Sequence, residues 1–214
     1  MKQIFLSGLI ALFAVPAAAE NYAGCSVDEA RVAREAFQHA KDLTLKAATT
    51  VGNTSEYGRW FGEYSVANAE TVRANLKSVV GAIRSGNVTA TCEQIADGGC
   101  EVGEYAWVYP NEPYLMHLCP MFFNLPALTA LQPGARRSDN GTREGTIVHE
   151  LSHFLRVAGT DDHCYSRSAC RDMATYDTRR AIDNADSYQY FTEDVTYFAR
   201  QPVAGKPPQA SASR

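Results

Sequence analysis

Apolar residues recur at helical spacing in two stretches of the first half of the chain. Ala30, Ala33, Phe37 and Ala40 fall on one helical face, and Ser26-Val27-Asp28-Glu29 before them has the Ser-x-x-Glu form of a capping box. A helix is therefore predicted over about 27–48, broken by the Gly/Asn/Thr/Ser patch at 52–55. Ala69, Val72, Leu76, Val79, Val80 and Ile83 trace the face of a second helix, ended near Gly86-Asn87. Both faces are read as core-facing. The middle of the chain changes period. Tyr105–Tyr109 and Tyr114–Leu118 are short strand-like runs joined by Pro110-Asn111-Glu112-Pro113, the pattern of a hairpin. His117, inside a strand pattern, is read as structural. A Pro/Gly/Arg/Asp/Asn-rich loop follows at about 132–142, and helical patterning returns at about 143–157 and 176–199.

The two ends differ from this body. Met1-Lys2, an apolar run from Ile4 to Val15 and then Pro16-Ala17-Ala18-Ala19 form the pattern of a secretory signal peptide over 1–19. The run is too short for a bilayer, which needs about 20 apolar residues, and no other stretch is long enough for a membrane span. Gln201–Arg214 is rich in Pro, Ala and Ser and is expected to be a disordered tail, leaving one domain over 20–200.

Composition narrows the class. The chain has 214 residues, 45% hydrophobic and 21% charged, which excludes a coiled coil, collagen and intrinsic disorder and suits one globular domain. It carries 20 basic against 24 acidic residues, net −4, with no strongly basic stretch, so nucleic acid is not an expected partner. Export makes disulfides the expected state of the 6 cysteines, and the absence of a Cys-x-x-Cys pair argues against a cysteine zinc site.

The chemistry concentrates at His149-Glu150-Leu151-Ser152-His153. On a helix, residues four apart lie one above the other, so both imidazoles project from one face toward a single zinc ion, with Glu150 beside them as general base. A catalytic zinc needs a third protein ligand. A histidine six residues after His153 would be the metzincin choice, but Gly159 stands there. Glu193, on a later helix, would be the thermolysin-like choice. The segment Gly159-Thr160-Asp161-Asp162-His163-Cys164-Tyr165 offers a nearer one, with Gly159 able to turn the chain back.

HELSH followed by GTDDHCY resembles the signature of the aspzincins, the family of deuterolysin and peptidyl-Lys metalloendopeptidase. The resemblance runs over about 25–199 and includes Gly145–Val148 and Asn184–Phe191. It implies a zincin-like α+β domain, mainly helical, with a small antiparallel sheet beside the cleft. It further implies one zinc ion held by His149, His153 and Asp162, and peptide hydrolysis by a zinc-bound water with Glu150 as base and Tyr165 stabilising the transition state. Asp161 and His163 are read as polar loop residues. By the same analogy Cys25 pairs with Cys92 and Cys100 with Cys119, while Cys164 and Cys170 are close enough in sequence to bridge each other. In lysine-directed members an aspartate and a glutamate three residues apart make an acidic S1′ pocket. Here these positions are Asp186 and Gln189, which implies a preference for basic P1′ residues weaker than strict lysine specificity. Ser166 stands where the family has glycine. The expectation is a secreted, monomeric zinc endopeptidase acting on protein or peptide substrates. The alternative from another class is a secreted binding or toxin-like module with a structural zinc site.

Overall fold

The structure is a computed structural model that describes residues 21–96, 98–133, 139 and 141–198. The predicted leader, 1–19, and the tail, 201–214, lie outside the described residues. Among the described residues no helix is long and apolar enough to cross a membrane.

The order of elements is β1 (Tyr22–Ala23), α1 (Val27–Thr50), α2 (Ser55–Phe61), α3 (Val66–Arg84), β2 (Thr89–Cys92), β3 (Ala106–Val108), β4 (Leu115–Leu118), α4 (Pro120–Asn124), α5 (Arg143–His153), α6 (Arg167–Tyr176), α7 (Thr178–Ile182) and α8 (Ala185–Glu193). The capping box at Ser26 and Glu29 forms as the sequence predicts, and α1 packs against α3, with Ala33, Phe37, Ala40, Val72, Leu76 and Val79 buried in one core cluster. Alanines on α1 let α5 approach the same face, and α5 is enclosed by α1, α3, α8 and β3. Every residue from Glu144 to His153 is buried.

The fold is α+β and mainly helical, as expected, but the sheet is mixed rather than antiparallel. Its order is β1-β2-β4-β3; β1 with β2 and β2 with β4 run parallel, and only the β3–β4 hairpin is antiparallel. The hairpin carried the sequence signal. The pairings that make the sheet mixed come from strands of two and four residues, too short to show a period.

The helices also differ in extent and number. The helix predicted over 143–157 stops at His153, because Phe154 takes an extended ψ and its carbonyl accepts from Val157, Ala158 and Gly159. The single helix predicted over 176–199 is α7, a break at Asn184, α8 and a π-helical turn, Asp194–Phe198. Helices α2 and α6 were not predicted. Bridges join Cys25 to Cys92, Cys100 to Cys119 and Cys164 to Cys170.

Candidate metal centre and cleft

Helix α5 begins with Thr142, whose hydroxyl caps Gly145 N–H at 3.1 Å, and ends at His153. Gly145 is needed on its α8 side, since a Cβ there would sit 2.8 Å from Gln189 Cγ and 2.2 Å from a Glu193 oxygen. The close approach this permits brings α8 residues over the helix that carries His149 and His153. Just past α5, Gly159 takes φ +63° and reverses the chain, after which Thr160 N–H donates to Ser152 carbonyl at 3.1 Å. The reversal lays the 160–165 loop beside the last turn of α5.

Three donors converge there. His149 Nε2 and His153 Nε2 lie 3.1 Å apart, and Asp162 presents Oδ1 to the first and Oδ2 to the second, each at 3.4 Å. The other ring nitrogens are committed. His153 Nδ1–H donates to Thr160 carbonyl and His149 Nδ1–H to Asp186 Oδ1, both at 2.8 Å. A carbonyl can only accept, which fixes the proton of His153 on Nδ1; the Asp186 carboxylate does the same for His149. With both rings neutral, as metal binding requires, the two Nε2 lone pairs face each other beside a carboxylate, and Asp162 Oδ1 is buried with no hydrogen-bond partner among the described residues. A shared cation satisfies that arrangement. Two neutral imidazoles and one carboxylate, each ring oriented by a further acceptor, form a donor set that suits zinc.

The carboxylates around the trio favour positive charge there, whether a proton or a metal cation that displaces it. Burial works against charge on His149, but its bond to Asp186 and the nearby Glu150, Asp186 and Asp162 carboxylates outweigh it and hold the imidazole up at about 9. Burial would lift the Asp162 carboxyl, yet the bond to His153 and the two imidazoles bring it below its ordinary value. Glu150 is raised chiefly by burial, which leaves it better able to take and hold a proton than an exposed glutamate. Burial first, and then the Asp162 charge, push the Tyr165 phenol up to about 12, so it remains a hydrogen-bond donor at neutral pH.

His149, Glu150, His153, Asp162 and Tyr165 all line one cleft of about 610 Å³. Its opposite wall is β3 with the residues leading into it. Asp186 and Gln189, from α8, line the same cleft. Glu193 does not reach the trio. Its Oε1 accepts from Thr142 Oγ1 at 2.8 Å and its Oε2 is paired with buried Arg167, so a thermolysin-like ligand set is not assembled. His117 is outside the site, stacked on Trp107 at 3.6 Å and bonded to Glu93 at 2.8 Å.

Three residues with a part in the geometry were not picked out for it by sequence reasoning. Thr160 orients His153 through its carbonyl. Asn184 is fully buried at the break before α8, and its Oδ1 accepts from His163 N–H at 2.8 Å and Cys164 N–H at 3.0 Å, pinning the loop that bears Asp162. Asp186, expected only as a pocket residue, also orients His149. For the second, the sequence offers only Asn184 itself, a poor helix former inside a predicted helix; a backbone carbonyl carries no signal. Ser166 keeps a glycine-like backbone, φ +73° and ψ 153°, and its N–H donates to Asp186 Oδ2 at 3.1 Å.

Comparison with known proteins adds an independent line. Residues 46–193 match the family model described as lysine-specific metallo-endopeptidase. A peptidyl-Lys metalloendopeptidase of Pleurotus ostreatus is 30% identical over 179 residues, spanning 81% of this chain and 96% of that protein. An extracellular protease of Aeromonas hydrophila is 36% identical over 143 residues, covering 67% of this chain but only 37% of the relative's length. The chain also superimposes on a zinc peptidase from Grifola frondosa with a TM-score of 0.67 and 29% identity, over 80% of this chain and 98% of the other.

Proposed function

Because the chain belongs to the aspzincin family of metallo-endopeptidases, we propose that it is an exported zinc endopeptidase with a preference for basic P1′ residues. The observation that carries this reading is the convergence of His149, His153 and Asp162 in a cleft that also holds the buried Glu150 carboxylate. His149 and His153, through Nε2, and the Asp162 carboxylate would hold one zinc ion. When bound, zinc supplies Lewis acidity, lowering the pKa of water and polarising a carbonyl.

The chain's own groups account for the rest. Glu150 takes a proton from the attacking water and returns it to the leaving amine. The Tyr165 hydroxyl, still protonated, donates to the oxygen on which negative charge develops. Asp186 and Thr160 keep the two imidazoles in register, so the reaction does not wait for them to reorient. On the P1′ side, Asp186 gives a negative field and Gln189 a neutral carboxamide, which favours cationic side chains without the full charge of a second carboxylate at 189. No Lys or Arg lines the cleft among the described residues. Export is supported by the leader-like N-terminus and the three bridges.

The test is digestion of a denatured protein by the zinc-loaded enzyme, its chelated form and Glu150→Gln, with cut sites mapped. Chelation should abolish cleavage and zinc should restore it. Glu150→Gln should retain zinc and lose turnover by at least roughly a thousandfold, the scale of removing an essential acid–base group. A binding module with a structural metal would be indifferent to Glu150→Gln, and evenly spread cut sites would remove the P1′ preference.

A further inference from the structure

Asp186 is a poor candidate for the only charge that meets a basic side chain. Both of its oxygens are engaged, Oδ1 by His149 Nδ1–H and Oδ2 by Ser166 N–H, and it is 5% exposed. The next amide along, Arg167 N–H, donates to a different carboxylate, Asp139 Oδ1, at 3.2 Å. Consecutive amides at the start of α6 therefore hold two carboxylates side by side, which places their bound oxygens within roughly 10 Å of each other. Asp139 is fixed a second time, because its carbonyl accepts the Tyr190 hydroxyl at 2.7 Å. Unlike Asp186 it is exposed, lines the cleft and makes no bond through Oδ2 among the described residues. Gln189, 5% exposed, lines the same cleft, and its carboxamide is bonded to nothing among the described residues. A buried amide without a bond in the cleft lining, together with an exposed carboxylate that has one oxygen unbonded among the described residues, suits a polar, positively charged group.

We infer that Asp139 is the specificity-determining carboxylate of this cleft: its Oδ2, unbonded among the described residues, pairs with the ammonium or guanidinium of a basic P1′ side chain. Gln189 hydrogen-bonds the stem end of that group, and Asp186 holds His149. The charge absent at position 189 is thus supplied from the loop before α5. This rests on the peptidase reading for the name of the subsite, but not for the binding event.

Two measurements separate the inference from that reading. The first compares cleavage of matched peptides with lysine or norleucine at P1′, which share chain length and differ in charge. Asp139→Asn should lower the Lys-to-norleucine ratio of kcat/KM about tenfold, the loss expected for one charge-assisted hydrogen bond at a partly exposed site, while zinc content is retained. The second measures calorimetric binding of short product-like peptides beginning with lysine or norleucine to zinc-loaded Glu150→Gln, with and without Asp139→Asn. The same tenfold fall in preference is expected, and it needs no turnover. An Asp139→Asn protein with unchanged preference in both assays overturns the inference and leaves the peptidase reading intact, as does a parent protein that cleaves yet does not distinguish lysine from norleucine. A parent that cleaves neither peptide but loses lysine preference in binding upon Asp139→Asn sinks the peptidase reading and upholds the pocket.

Discussion

The proposed metal centre is built from two halves of different kinds. His149, Glu150 and His153 sit on a buried helix, where helical geometry alone puts the two imidazoles one turn apart. Asp162 and Tyr165 sit on a loop whose shape has no such internal rule. It is set from outside, by Asn184 receiving two of its backbone N–H groups, by the pairing of Asp161 with Asp183 and Ala185 backbone, and by the Cys164–Cys170 bridge. A helix can present two ligands by itself; the third depends on residues some twenty positions further along the chain.

That contrast can be broken at its weaker half. Asn184→Ala should have the largest effect, about 3 kcal/mol of stability, because two N–H groups lose a fully buried acceptor at once. Zinc affinity should fall with it while the helical circular dichroism of the folded protein persists. An Asn184→Ala protein that binds zinc like the parent would mean the loop holds its own shape. Asp186→Asn comes next. The amide can still accept from His149, but its NH2 then confronts Ser166 N–H, and zinc affinity measured by competition with a chromophoric chelator should drop roughly 10- to 100-fold. The smallest change sharpens the comparison in the other direction. Ser166 occupies a backbone region that is nearly exclusive to glycine, so Ser166→Gly should stabilise by about 1 kcal/mol even after loss of its hydroxyl cap on α6, seen as a higher Tm with unchanged zinc binding.

The same division decides what could be read from the sequence. The capping box of α1, the stripes of α1 and α3 and the His149/His153 pair are local patterns, and local patterns are visible in a string of letters. The role of Asp186 is not, because it depends on where α8 packs against α5. Nor is the true extent of α8: all nine of its residues are buried, and its polar residues Asp186, Gln189 and Glu193 share a face turned into the protein, so no solvent face sets it apart from α7 in the sequence. Helix α2 was hidden by the Gly/Asn/Thr/Ser patch before it, which reads as a break and in fact contains its cap, Thr54. The resemblance to the aspzincins named Asp162 where spacing alone left Glu193 open; in the structure Glu193 is tied to Thr142 and Arg167, at the far end of α5.

One carboxylate faces two tasks in this molecule. Asp186 stands with one oxygen on the His149 imidazole and lines the cleft, so under the proposed function altering it to admit a different side chain would also loosen the grip on the ion. Among the described residues, Asp139 and Gln189 make no bond to either imidazole. If selectivity has drifted among proteins built this way, it has had freedom to do so at those two sites and little at 186.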